Sequence, residues 1–70
     1  MHNMPHIAIT MYPGRDHDTK AALAEKMRTA IACELGISES VVSVSIQDIE
    51  KENWDKEMEK IPDEAMFIRV

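Results

Sequence analysis

Two short alternating runs, residues 6–12 and 42–47, flank one amphipathic stretch over residues 17–35, and that order leaves few folds open to a chain of 70 residues. In the first run Ile7, Ile9 and Met11 share one face and His6, Ala8, Thr10 and Tyr12 the other, the two-residue period of a half-buried strand. In the second, Val42, Val44 and Ile46 alternate with Ser43, Ser45 and Gln47. Between them Leu23, Met27, Ile31 and Leu35 recur every four residues, flanked by Ala24 and Ala30, while Glu25, Lys26, Arg28 and Glu34 face away. A helix of this length between two strands predicts parallel neighbours joined by a right-handed crossover, a β-α-β unit of the α/β class.

The punctuation agrees with this order. Pro13-Gly14 marks a turn, Asp16 is placed to cap the helix, and Asp18 falls in the first turn, where the helix dipole favours a negative charge. Gly36 predicts a left-handed C-cap with Ile37 folding back, and Ser38-Glu39-Ser40 a polar corner. Residues 48–52 read as an acidic loop, Asn53 as the cap of a short turn holding Trp54 and Met58, Pro62 as its stop, and residues 66–70 as a short terminal strand. The chain divides into a leader, residues 1–4, and a single domain, residues 5–70, without repeats or linkers.

A domain this small has a marginal core when it stands alone. Two strands and one helix leave sheet edges uncovered, so a homo-oligomer joined through the sheet is expected, either a dimer or a symmetric assembly of dimers. The net charge of −5, pI near 5.0 and lack of any Lys/Arg run speak against nucleic acid and anionic membranes as partners. No apolar stretch has the length of a membrane span and the N-terminus lacks the apolar core of a secretion signal, which predicts a cytoplasmic protein. One cysteine allows no internal disulfide; Cys33, beside Ile31, Ala32 and Leu35, is expected as a small core residue. His2, His6 and His17 show no ligand spacing, so no metal is expected.

Chemistry enters at Pro5, directly behind Met4. If translation starts at Met4 and that methionine is trimmed, the Pro5 nitrogen is a secondary amine and can act as a base. An amide nitrogen cannot, because its lone pair is delocalised into the carbonyl. With Met1-His2-Asn3-Met4 attached, proton transfer by Pro5 is lost, and His2 is not the small residue that methionine removal requires. Taken by position alone, Pro5 reads as a strand-initiating proline and, without Pro5, Arg15 reads as a solvated loop arginine, while Trp54 reads equally as a packing aromatic.

Met4-Pro5-His6-Ile7, then Tyr12-Pro13-Gly14-Arg15, Lys20-Ala21-Ala22-Leu23-Ala24 and Asn53-Trp54 together resemble the 4-oxalocrotonate tautomerase family. The similarity is greatest to small bacterial members that begin Met-Pro-His-Ile and carry a tryptophan in the late loop. It runs from Met4 to about Trp54. The resemblance implies a β-α-β fold, dimers or hexamers (trimers of dimers), and keto-enol tautomerisation by an N-terminal proline without a cofactor. It implies Pro5 as general base, Arg15 as the group holding the substrate carboxylate, and Trp54 as an apolar wall. Where the best-known member has a second arginine early in the second strand, this chain has Ser43. One guanidinium favours a monoacid over a dicarboxylate, and Trp54 suits an aromatic tail, which together suggest a phenylenolpyruvate-like enol acid. Ser43 is a candidate hydrogen-bond partner for a substrate oxygen, and Arg69 a candidate source of the missing charge from a neighbouring subunit. The competing reading is a non-catalytic small-acid-binding or interaction oligomer on the same fold, with Pro5 blocked by the leader.

Overall fold

Strand β1 (His6–Met11), helix α1 (His17–Leu35), strand β2 (Ser43–Asp48) and helix α2 (Trp54–Glu59) follow one another in a computed structural model that describes residues 4–70. Three 3-10 turns, Glu39–Val41, Lys51–Asn53 and Asp63–Ala65, lie between and after them. Of the expected leader only Met4 falls among the described residues.

The two strands pair in parallel, in step from His6 opposite Ser43 to Met11 opposite Asp48. This register sets Ile7 beside Val44 and Ile9 beside Ile46, so the apolar members of both alternations share one face. Helix α1 packs against β2. Ala32 and Val42 are the buried centre, at 5% and 7% exposure, ringed by half-buried Ile7, Ile9, Leu23, Ala24, Met27, Ile31, Val44 and Ile46.

Both ends of α1 are closed as the residues predict. Asp16 takes an extended backbone and its carboxylate accepts the Thr19 N–H at 2.9 Å. At the far end Gly36 adopts φ 66°, its N–H donates to the Cys33 carbonyl at 3.3 Å and the Ile37 N–H to the Ala32 carbonyl at 3.0 Å. That pair of bonds is a Schellman closure, and glycine is the residue that adopts this backbone without a Cβ penalty. Ser38 caps the next turn by accepting the Ser40 N–H at 3.2 Å.

Four expectations are corrected. Residues 66–70 do not form a strand: after the turn at Asp63–Ala65 the chain is irregular and pairs with neither open edge of the two-stranded sheet. Leu35 is 58% exposed rather than in the core. Nineteen helical residues rise about 28 Å, while six strand residues span about 20 Å, so the last turn outruns the sheet. Cys33 is exposed because it falls with Lys26 and Ala30 on the solvent face of α1, and the alanine that reaches the core is Ala32, not Ala30. Asn53 makes no side-chain cap; a 3-10 turn leads straight into α2 instead.

Candidate active site

The parallel arrangement puts the N-terminal ends of both strands at one end of the sheet, and there the Ser43 N–H donates to the Pro5 carbonyl at 3.2 Å. Pro5 is half-buried. On the sheet face turned away from the apolar residues, the His6 imidazole bridges two serines of β2: Nδ1 lies 2.6 Å from Ser43 Oγ and Nε2 2.9 Å from Ser45 Oγ. His6, Ser43 and Ser45 therefore form one polar group near the strand starts, with Pro5 joined to it through the backbone at Ser43.

A second group sits at the opposite end. The Ile49 N–H donates to the Met11 carbonyl at 2.8 Å, which prolongs the ladder by one bond and fixes where Tyr12 leaves the sheet. The Tyr12 ring meets Trp54 edge to face, with centroids 5.0 Å apart and planes at 79°. Trp54 with Met58, Met66, Ile68, Arg69 and Val70 lines a cavity of about 300 Å³. That volume is near the lower bound for small-molecule sites. Arg69 is held at its margin by Asp63, 2.9 Å away. Arg15 follows Gly14 in the turn beyond β1 and is exposed; it forms no ion pair with any described residue.

Pro5 and Tyr12 are separated by the whole of β1, about 20 Å of extended chain. One protomer thus brings Pro5 to Ser43, and Trp54 to Arg69, but does not unite the two pairs or carry Arg15 to Pro5. A smaller hollow of about 180 Å³ between α1 and β2 is lined by Ala24, Glu25, Arg28, Val42 and Val44. Arg28 there is already committed to Glu25 and Glu39, so the hollow offers an incoming acid no spare cation.

The helix that ties these ends together is itself anchored to the second one, since Lys20 in the first turn of α1 meets Asp48 at the end of β2, 2.7 Å apart. The Asp16 carboxyl is held below its ordinary range by the bonds it accepts from Thr19, first from the side chain and then from the backbone N–H. Among the described residues no group of histidine, cysteine and carboxylate side chains is arranged to hold a metal ion, and no helix is long and apolar enough to cross a membrane.

Residues 2–55 match the profile of a family described as "Tautomerase enzyme". The chain belongs to this tautomerase family. Curated relatives agree: a "Probable tautomerase" of Xylella fastidiosa is 33% identical over 51 residues, 73% of this chain and 62% of that protein, so the match spans less than two thirds of the relative. "Tautomerase PptA" of Escherichia coli is 40% identical over 52 residues, 73% of this chain and 69% of the relative. A "2-hydroxymuconate tautomerase" of Comamonas testosteroni is 39% identical over 51 residues, 73% of this chain and 81% of the relative. No solved structure matches. The tautomerase match ends at residue 55, one residue past Trp54, so the irregular tail lies beyond the shared region.

Two site features were missed from the sequence. Tyr12, assigned to the polar strand face, leaves the sheet and packs on Trp54. His6 was placed on the outer strand face and given no role, yet it bridges Ser43 and Ser45. The usable signal was parity, since His6, Ser43 and Ser45 all alternate with core residues, but joining them needs the cross-strand register, which no single strand encodes.

Proposed function

We propose that this chain is a cofactor-independent keto-enol tautomerase acting on small unsaturated or aromatic 2-hydroxy/2-oxo acids, with the Pro5 amine as general base once Met1 to Met4 are absent. The observation that carries this reading is the fixed station of Pro5: half-buried, its carbonyl tied to the Ser43 N–H, at the head of β1 and inside the family match over residues 2–55. An α-amino group titrates just above neutrality, and partial burial beside a cation favours its neutral form. The neutral amine takes the enol proton and returns it to the neighbouring carbon, so the net reaction is isomerisation. Arg15 grips the substrate carboxylate through its two-pronged guanidinium and steadies the negative charge of the enolate. Trp54 supplies a dry wall, and Ser43 hydrogen-bonds a substrate oxygen.

Because the Pro5 end and the Trp54 end lie a strand's length apart, the complete site is built between copies, one contributing Pro5 and Ser43 and another Arg15 and Trp54. The protein is accordingly a homodimer or a trimer of dimers. With Arg69 at the Trp54 cavity already engaged by Asp63, Arg15 is the guanidinium left for the substrate, which favours a monoacid such as phenylenolpyruvate over 2-hydroxymuconate, the dicarboxylate named for the Comamonas relative. A second reading, a non-catalytic acid binder, follows if Met4 stays attached and Pro5 remains an amide.

Mass spectrometry of the protein made from its own gene separates the two: a species starting at Pro5 fits the enzyme, an attached leader the binder. The Pro5-initiated protein should ketonise phenylenolpyruvate, and Pro5→Ala should lower kcat by 10²-fold or more, on the order expected for a lost general base. Absence of turnover in the trimmed protein, or an indifferent Pro5→Ala, overturns the catalytic reading.

A further inference from the structure

The bridge between His6, Ser43 and Ser45 has a proton balance that bears on substrate choice. A neutral imidazole owns one N–H and one lone pair, so it donates to one of the two serines and accepts from the other. The serine that accepts keeps its own O–H for an outside partner; the serine that donates has spent its hydrogen inward. Ser45 is the less exposed of the two and Ser43 is open to solvent. The half-buried Ser45 hydroxyl has less access to water and gains more by turning its hydrogen inward, whereas the exposed Ser43 hydroxyl can leave its hydrogen for water or ligand. Burial thus assigns Ser45 Oγ–H to the Nε2 lone pair, at 2.9 Å, and Nδ1–H to Ser43 Oγ, at 2.6 Å.

We propose that His6 is a positioning residue that holds Ser43 as an outward hydrogen-bond donor beside Pro5, making this end of the site a neutral-donor subsite for a substrate carbonyl, hydroxyl or carboxylate oxygen. The proposal rests on the reading of Pro5 as the base and adds to it a residue that chooses the substrate's polar pattern. The backbone supports the geometry, because the Ser43 N–H bound to the Pro5 carbonyl fixes the Ser43 backbone beside Pro5, and the His6 contact is what orients its hydroxyl. No ion pair links His6 to a described residue, and its neighbours on this face across and along the sheet, Ser43, Ser45 and Ala8, carry no charge. A substrate with one carboxylate, gripped by Arg15, and an uncharged oxygen at the Pro5 end fits such a subsite better than a second carboxylate does.

Nitrogen NMR of the full 70-residue chain, with labelled histidine, reads the tautomer without any need for turnover. The expected result is neutral His6 protonated on Nδ1, with Ser45→Ala altering the Nε2 resonance; protonation on Nε2 overturns the proposal. Kinetics of the Pro5-initiated protein supply the second readout. His6→Asn, whose amide places a donor near the Nδ1 position, should keep KM for phenylenolpyruvate within about threefold, while His6→Phe should raise it roughly tenfold, on the scale of one lost hydrogen bond. Adding Ser43→Ala to His6→Phe should cost nothing more, since both act through one hydroxyl. Equal KM values in His6→Phe and the parent refute the positioning role even where Pro5 catalysis stands. A parent without turnover refutes the Pro5 reading, and the NMR outcome then decides the hydrogen-bond assignment by itself.

Discussion

Asp16 shows at the scale of one residue how a helix start becomes a pH-sensitive element. Its carboxyl is held below the ordinary range by Thr19, so the folded state prefers the charged form more strongly than the unfolded chain does. The stabilisation is complete above the ordinary carboxylate pKa and is lost as pH falls through the lower, folded value. Asn caps a helix about as well as Asp and does not titrate. Asp16→Asn should therefore leave the melting temperature near neutrality little changed while flattening its decline between roughly pH 5 and 2, a difference that thermal melts followed by circular dichroism resolve. An acid limb identical to that of the parent would show that other carboxylates govern the loss. The capping role of Asp16 and the left-handed Gly36 were legible from residue type alone, because each answers a local backbone requirement. Pro5, Arg15, Ser43 and Trp54 became chemical candidates only through the family resemblance, and their grouping is not local: Ser43 reaches Pro5 only through strand pairing, and Arg15 is parted from it by β1.

At the scale of elements, the periods of two and four made β1, α1 and β2 readable, down to the faces that meet in the core. What escaped depended on the relative lengths of elements and on pairing. Leu35 continues the apolar row of α1, yet the helix is longer than the strands it covers; residues 66–70 have strand-like composition yet pair with neither open edge of the sheet. This contrast gives an ordered pair of expectations. Val42→Ala, at a site 7% exposed, should destabilise by about 2 kcal/mol through lost burial and the cavity left behind. Leu35→Ala removes more carbon from a site 58% exposed and should cost less than about 1 kcal/mol in the dissociated protomer. Urea denaturation at low protein concentration ranks the two, and the reverse order would contradict the helix overhang.

At the scale of the whole molecule the protomer is short of interior. Only Ala32 and Val42 are buried among the described residues, while Phe67, Ile68 and Val70 stand at 92%, 85% and fully exposed. Apolar surface of this kind at the end of a small domain is stabilised by association, so the melting temperature should rise with protein concentration, and sedimentation should show a dimer or hexamer whose population falls in Phe67→Asp. A melting temperature independent of concentration would point to a stable monomer. The separation of the Pro5 and Trp54 ends makes a sharper expectation. Pro5→Ala and Arg15→Ala proteins, each inactive alone, should regain activity when unfolded together and refolded, to about a quarter of the parent if subunits mix at random and each site draws one residue from each of two copies. No recovery would mean that both residues serve the same copy.

The strand's length between those two ends also has an economic meaning for a cell. With the site shared between copies as proposed above, the protein would work only while they remain together, and output per chain should drop on dilution. Its abundance would then set flux more steeply than in proportion.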